Sequence, residues 1–242
     1  MEPRLTGIRA VLFDLGDTLF RLHPMDFASA HRQFARLLSE RCGLDVHAAE
    51  TATADVSGRI RETFRERQQS GSTAEPSIAE SALPLLSRFG ADARWLANAL
   101  DEAFGEADIA RWDAPPGRPM EVRRFIDSGF RVAFVSNTQT PPVLMRRRLA
   151  EFGLLELAEV AVFSVEVGQR KPGERIYRAA LEALDMPPES AVFVGDRVRE
   201  DVLGPQSLGM RAVLTHEFRQ EDLAKAQPAG VIQSLAALWE FL

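Results

Sequence analysis

Hydrophobic and polar positions divide the chain into three stretches. Ile8 to Phe13 (IRAVLF) is a short apolar run of strand formers, followed at once by Asp-Leu-Gly-Asp-Thr. An uninterrupted run of this kind suits a strand buried on both faces of a parallel sheet. From about residue 21 to 113 the apolar positions recur at helical spacing, with no convincing strand. Asp26 can cap a helix through Phe27, Ala30, Phe34, Leu37 and Leu38, with Gly43 near its end. A second helix is expected over about 46–69, a loop over 68–73, and two further helices around 76–88 and 92–106.

From Pro115 the pattern changes to short apolar strands alternating with helices. The spacing predicts helices at 118–128, 141–152, 173–184 and 198–208. Strands are expected at 131–135, 160–163, 191–194 and 211–214, and the tail 228–242 reads as a short strand and an amphipathic helix. Such alternation implies right-handed crossovers and a doubly wound parallel sheet. The strand at 8–13 must join that sheet to bury its two faces. The expected fold class is therefore α/β, a Rossmann-like core of residues 1–20 and 114–242 with an inserted α-helical domain over 21–113.

Composition adds exclusions. The net charge of −6 disfavours non-specific nucleic-acid binding, which needs a basic footprint. The single cysteine, Cys42, rules out an intrachain disulfide and reads as a small apolar helix residue. The N-terminal apolar run, Ala10 to Phe13, is too short for a signal peptide or a membrane span. A cytoplasmic protein with no membrane partner is expected, as a monomer or homodimer. Of the 29 basic residues only Lys171 and Lys225 are lysines, leaving 27 arginines.

In an open α/β sheet, ligands bind at the carboxyl ends of the strands. The expected strands end in Asp14, in Ser136-Asn137-Thr138 and in Gly195-Asp196, with Asp201 five residues on; Gly168-Gln169-Arg170-Lys171-Pro172 follows the strand at 160–163. One edge thus gathers carboxylates, a hydroxyl and a lysine. Carboxylates from different strands repel unless a cation lies between them, and an oxygen-rich set of this kind suits Mg²⁺ with a substrate phosphate. Lysine supplies a compact charge for phosphate. In a chain that otherwise uses arginine, Lys171 suggests that a point charge is required.

The segments VLFDLGDTL, VAFVSNT, the RKP following EVG, and VFVGDRVRED, in this order, resemble the motifs of the haloacid dehalogenase-like hydrolase superfamily, in its phosphatase-type branch. The likeness covers residues 8–214, with the helical insertion in the place of that family's cap. The resemblance implies a Mg²⁺-dependent hydrolase of small phosphorylated molecules. It implies that Asp14 is the nucleophile forming an aspartyl-phosphate. Ser136 would hold the transferring phosphoryl group, together with Asn137, and Lys171 would steady both nucleophile and phosphate. Asp196 would bind the metal with Asp14 and the Gly16 carbonyl, Asp201 supporting it.

One departure stands out. Phosphatases of the family place a second aspartate two residues after the nucleophile, as general acid–base. Here Gly16 holds that position and Asp17 the next. Positions three apart in an extended segment do not share a face, so Asp17 is either a displaced acid–base or a turn residue. A metal-independent 2-haloacid dehalogenase is one alternative, since that branch also lacks the second aspartate, although its fourth motif is less acidic. A weakly active or non-catalytic binding member of the same fold is the other.

Overall fold

The computed structural model describes residues 5–242; residues 1–4, part of the expected core span, lie outside them. Its contacts separate two compact units. One holds the residues up to Leu22, Trp112–Thr138 and Arg146–Leu242; the other holds His23–Arg111 and Gln139–Met145.

The first unit is built on six parallel strands: β1 (Ala10–Phe13), β4 (Arg131–Ser136), β5 (Val160–Phe163), β6 (Ala191–Gly195), β7 (Arg211–Thr215) and β8 (Gly230–Ile232). Their order is β5-β4-β1-β6-β7-β8. β1 is central: Phe13 pairs with Phe134 on one side and Val194 on the other. The order reverses at β1, as in a doubly wound sheet. All four residues of β1 are buried, which explains its unbroken apolar run.

Alternation along the strands supplies two cores. Ala10, Leu12, Ala133, Val135 and Phe193 meet Ile176, Tyr177, Ala180 and Leu181 of helix α8 (Glu174–Ala183). On the Phe13 side, Phe125 of α5 (Arg118–Asp127) lies 5.5 Å from Phe13 and stacks on Trp239 at 4.5 Å. At roughly 25 cal/mol per Å² of apolar surface, these layers are the main stabilising contribution to this unit.

Two short strands, β2 (Arg21–Leu22) and β3 (Trp112–Asp113), pair antiparallel. The sequence expects no strand there; two-residue strands are too short to show periodicity. The 198–208 segment also differs from a plain helix. It is a π-helical turn over Val198–Leu203, then α9 (Gly204–Ser207). The tail after β8 is a 3₁₀ helix, Leu235–Glu240.

The second unit packs α1 (Phe27–Cys42), α2 (Val46–Gln69), α3 (Ile78–Leu86) and α4 (Ala93–Ala110) around Phe34, Leu38, Leu96, Leu100 and Phe104. Asp26 and Asp45 cap α1 and α2, while Ser77 and Glu80 form a reciprocal capping box on α3. Gly43 ends α1 in the left-handed conformation that its lack of a Cβ favours. Cys42 is half-buried against this core. Among the described residues no helix is long and apolar enough to cross a membrane.

Candidate active site

The carboxyl edge of the sheet carries the chemistry. Asp14 follows β1 directly, and its backbone N–H donates to the Val194 carbonyl at 2.9 Å. That bond fixes the first residue beyond the strand against β6. The Lys171 Nζ donates to Asp14 Oδ1 at 2.6 Å and to Asp201 Oδ1 at 2.7 Å. All three side chains are at least nine-tenths buried. The ammonium also sits 4.9 Å from the Phe193 ring centroid.

Asp201 reaches this position through its π-helical turn. Its Oδ2 accepts from the Arg197 backbone N–H at 3.0 Å, so both of its oxygens are engaged. Gly195 makes the approach possible: a Cβ there would stand 2.3 Å from the Asp201 Cγ. The same turn is held from outside by Tyr177, whose hydroxyl donates to the Glu200 carbonyl.

Asp14, Asp196 and Asp201 offer carboxylate oxygens within 4.8 Å of one another, all buried. Burial pushes the Asp14 carboxyl up to about 6, with Lys171 pulling against it. Burial, reinforced by the Asp14 charge, pushes Asp196 up to about 8. Three buried acids with one lysine leave negative charge in excess. A bound divalent cation offsets that excess, so the donor set fits Mg²⁺. Each oxygen of Asp201 accepts one hydrogen bond, as does each oxygen of Asp14, and the remaining lone pairs of the three carboxylates are available to a cation.

Ser136 is buried at the end of β4. Asn137, the next residue, does not turn its amide toward an open site. Its Nδ2 donates to the Lys171 carbonyl at 3.1 Å, and its Oδ1 accepts from the Lys171 N–H at 2.7 Å. It braces the lysine backbone. Gly16 sits where a Cβ would come within 2.7 Å of Leu22 Cδ1. Asp17 has φ +55°, and its Oδ1 accepts from the Leu22 N–H at 3.0 Å. Its own N–H donates to the Phe20 carbonyl at 2.6 Å. The carboxylate at 17 is thus engaged in the turn that follows Asp14.

Three residues of this edge escaped the sequence reading. Thr18 Oγ1 donates to Asp14 Oδ2 at 3.3 Å; its place inside the first motif was the available signal. Arg219 Nη1 donates to Asp196 Oδ2 at 3.2 Å. Arg118 is wholly buried, donates to the Leu19 carbonyl at 3.1 Å, and pairs with Glu121 and Glu217. No local pattern marks the contacts that tie these arginines to the edge, since Asp196 lies 23 positions from Arg219, and Leu19 and Glu217 each lie 99 from Arg118.

Fold and edge together define a doubly wound α/β protein with three buried carboxylates and a lysine at its strand ends. The family model for haloacid dehalogenase-like hydrolase matches residues 8–209, and the chain belongs to that family. A phosphoserine phosphatase from Thermus thermophilus is 30% identical, with 89% of this chain and 92% of that protein aligned. A ribulose-1,5-bisphosphate 5-phosphatase from Halopiger xanaduensis is 26% identical over 90% of this chain and 88% of its own. Among solved structures, a 2-haloacid dehalogenase from Pseudomonas syringae pv. Tomato shares the fold with a TM-score of 0.69 at 23% identity, covering 97% of both chains.

Proposed function

We propose that the protein is a Mg²⁺-dependent phosphatase of small phosphorylated molecules that works through an aspartyl-phosphate on Asp14. The observation that carries this reading is the buried cluster of Asp14, Asp196 and Asp201 around the Lys171 ammonium. Phosphoryl transfer asks mainly for in-line positioning and neutralised equatorial oxygens. Relatives named for phosphoserine and ribulose-1,5-bisphosphate hydrolysis support the substrate class.

In this reading one oxygen of Asp14 bonds to phosphorus as the ester P–O bond breaks. Lys171 and Thr18 orient the attacking carboxylate. Ser136 donates to a phosphoryl oxygen. Asp14, Asp196 and the Gly16 carbonyl would hold Mg²⁺, with Asp201 supporting, and the ion would supply charge neutralisation for the phosphoryl group. Water then takes the phosphorus from Asp14 and restores the carboxylate. The leaving oxygen takes its proton from solvent, because Gly16 has no side chain and Asp17 is bound to the Leu22 amide. A general acid–base contributes about 10²–10⁴-fold, so turnover favours leaving groups that need no proton.

The dehalogenase reading is the weaker one. It needs no metal, and an acidic trio this close and this buried is costly without a cation. Hydrolysis of p-nitrophenyl phosphate with Mg²⁺ and with EDTA tests the choice. Metal-dependent release of p-nitrophenol that disappears in Asp14→Asn is expected. Equal rates in EDTA would overturn the metal-phosphatase reading.

A further inference from the structure

Arg118 is wholly buried in the first turn of α5, and the proposed reaction makes no use of it. Each of its three nitrogens has its own acceptor. Nε donates to the Leu19 carbonyl at 3.1 Å, Nη1 to Glu121 Oε2 at 2.7 Å, and Nη2 to Glu217 Oε1. Taking a guanidinium out of water is costly, and an apolar side chain of similar size often stabilises a core as well as a buried ion pair does. Filling space therefore does not call for an arginine here. What its rigid fork of donors adds is a fixed geometry between the groups it holds.

Two of those groups belong to loops that carry proposed metal ligands. Leu19 lies in the turn after Asp14. There the N–H groups of Thr18, Leu19 and Phe20 all converge on the Leu15 carbonyl, and Thr18 Oγ1 donates to Asp14 Oδ2. Leu19 is itself wholly buried, and Arg118 gives its carbonyl a donor. Glu217 lies in the loop after β7. Its Oε2 accepts from the Leu235 N–H at 2.8 Å, and the neighbouring Phe218 ring lies 5.7 Å from the Arg118 guanidinium. Arg219 comes next and donates to Asp196 Oδ2 at 3.2 Å. One side chain thus joins the Asp14 turn to the loop that holds Asp196. Glu121, its third partner, stands three residues along the same helix, so that bond ties neither loop. We propose that Arg118 is a positioning residue for the Mg²⁺ site: it sets the spacing between Asp14 and the Gly16 carbonyl on one loop and Asp196, through Arg219, on the other. This inference rests on the phosphatase reading for the metal, but the tie between the loops is testable without it.

The test uses the full chain with Arg118→Met, Glu217→Ala and, for comparison, Glu121→Ala. Hydrogen exchange of the metal-free protein, read by mass spectrometry, reports on the loops. Mn²⁺ binding, read by electron paramagnetic resonance, reports on the site. Glu217 is only half-buried, so its variant keeps the test open should Arg118→Met fail to fold. Arg118→Met and Glu217→Ala should speed exchange over both 15–22 and 216–221. They should also weaken Mn²⁺ binding about tenfold, the low end of what outer partners of metal ligands contribute. Faster exchange over 15–22 in Glu217→Ala is the decisive sign, because Glu217 bonds to the second loop and meets the first only through Arg118. Glu121→Ala removes a bond to the same guanidinium, yet should leave the exchange of both loops and the Mn²⁺ affinity as in the wild type, whatever it does to the melting temperature. Unchanged exchange over 15–22 or wild-type Mn²⁺ affinity in Glu217→Ala, or losses as large in Glu121→Ala, would overturn the positioning role. A wild type that binds no Mn²⁺ would instead strike the phosphatase reading and with it the metal, and exchange over 15–22 would still decide whether Arg118 ties the loops.

Discussion

At the residue scale, the positions that differ from their expected parts are the informative ones. Asp17 was open between acid–base and turn residue, and its Oδ1 lies on the Leu22 amide with φ +55°. Asp17→Asn keeps an oxygen for that amide. It should therefore slow hydrolysis only slightly, and equally for aryl and alkyl phosphates. A loss of about 10²-fold confined to alkyl esters would make it the acid–base after all. Asn137 was expected at the phosphate, and its amide instead clasps Lys171 in both directions. Asn137→Ala removes two hydrogen bonds, each contributing about 0.5–1.5 kcal/mol. Slack in the Lys171 backbone should lower kcat more than it raises KM, and steady-state kinetics on p-nitrophenyl phosphate would show the split. Asp14, Ser136 and Asp196 were legible because each stands at or directly after a strand end, and Lys171 because it is one of only two lysines in the chain. Arg118 and Arg219 were illegible because long side chains meet partners far off in sequence, where no period or spacing points to them.

At the element scale, β1, β4, β6 and β7 could be read because a strand buried on both faces leaves an apolar run in the sequence. The 198–208 helix was read only in outline. Its π-helical turn answers to Asp201, which has to reach both Lys171 and the Arg197 amide, and a regular helix pattern carries no sign of that. In the helical unit, α4 carries a half-buried acid, Asp101, whose Oδ1 is shut off from solvent. Its Oδ1 has no hydrogen-bond partner, and burial pushes its carboxyl up to about 7, with the Ala79 amide drawing it back. A carboxyl raised above its unfolded value favours the folded state in its protonated form. Its contribution is complete below about pH 4 and is lost as pH rises through about 7. Asp101→Asn should accordingly raise the melting temperature more at pH 8 than at pH 5. An equal change at the two pH values, followed by circular dichroism, would contradict this account of Asp101.

At the scale of the whole molecule, the sheet order β5-β4-β1-β6-β7-β8 does the gathering. It sets Asp14 at the switch point between strands that bring Ser136 from one side and Asp196 from the other. The chemistry proposed for that point commits to one covalent event: phosphorus bonded to an oxygen of Asp14. In the proposed reaction Gly16 leaves no side chain at that position to activate water, so with p-nitrophenyl phosphate, whose leaving group needs no proton, the second half should be the slower one. An acyl phosphate should then accumulate during turnover. Borohydride reduces an acyl phosphate to an alcohol, which turns a phosphorylated aspartate into homoserine. Quenching the enzyme with borohydride during turnover of p-nitrophenyl phosphate, followed by peptide mass spectrometry, tests this directly. Homoserine at position 14, formed only with both Mg²⁺ and substrate, is the predicted result. An unmodified Asp14 in a protein that is turning over substrate would contradict it.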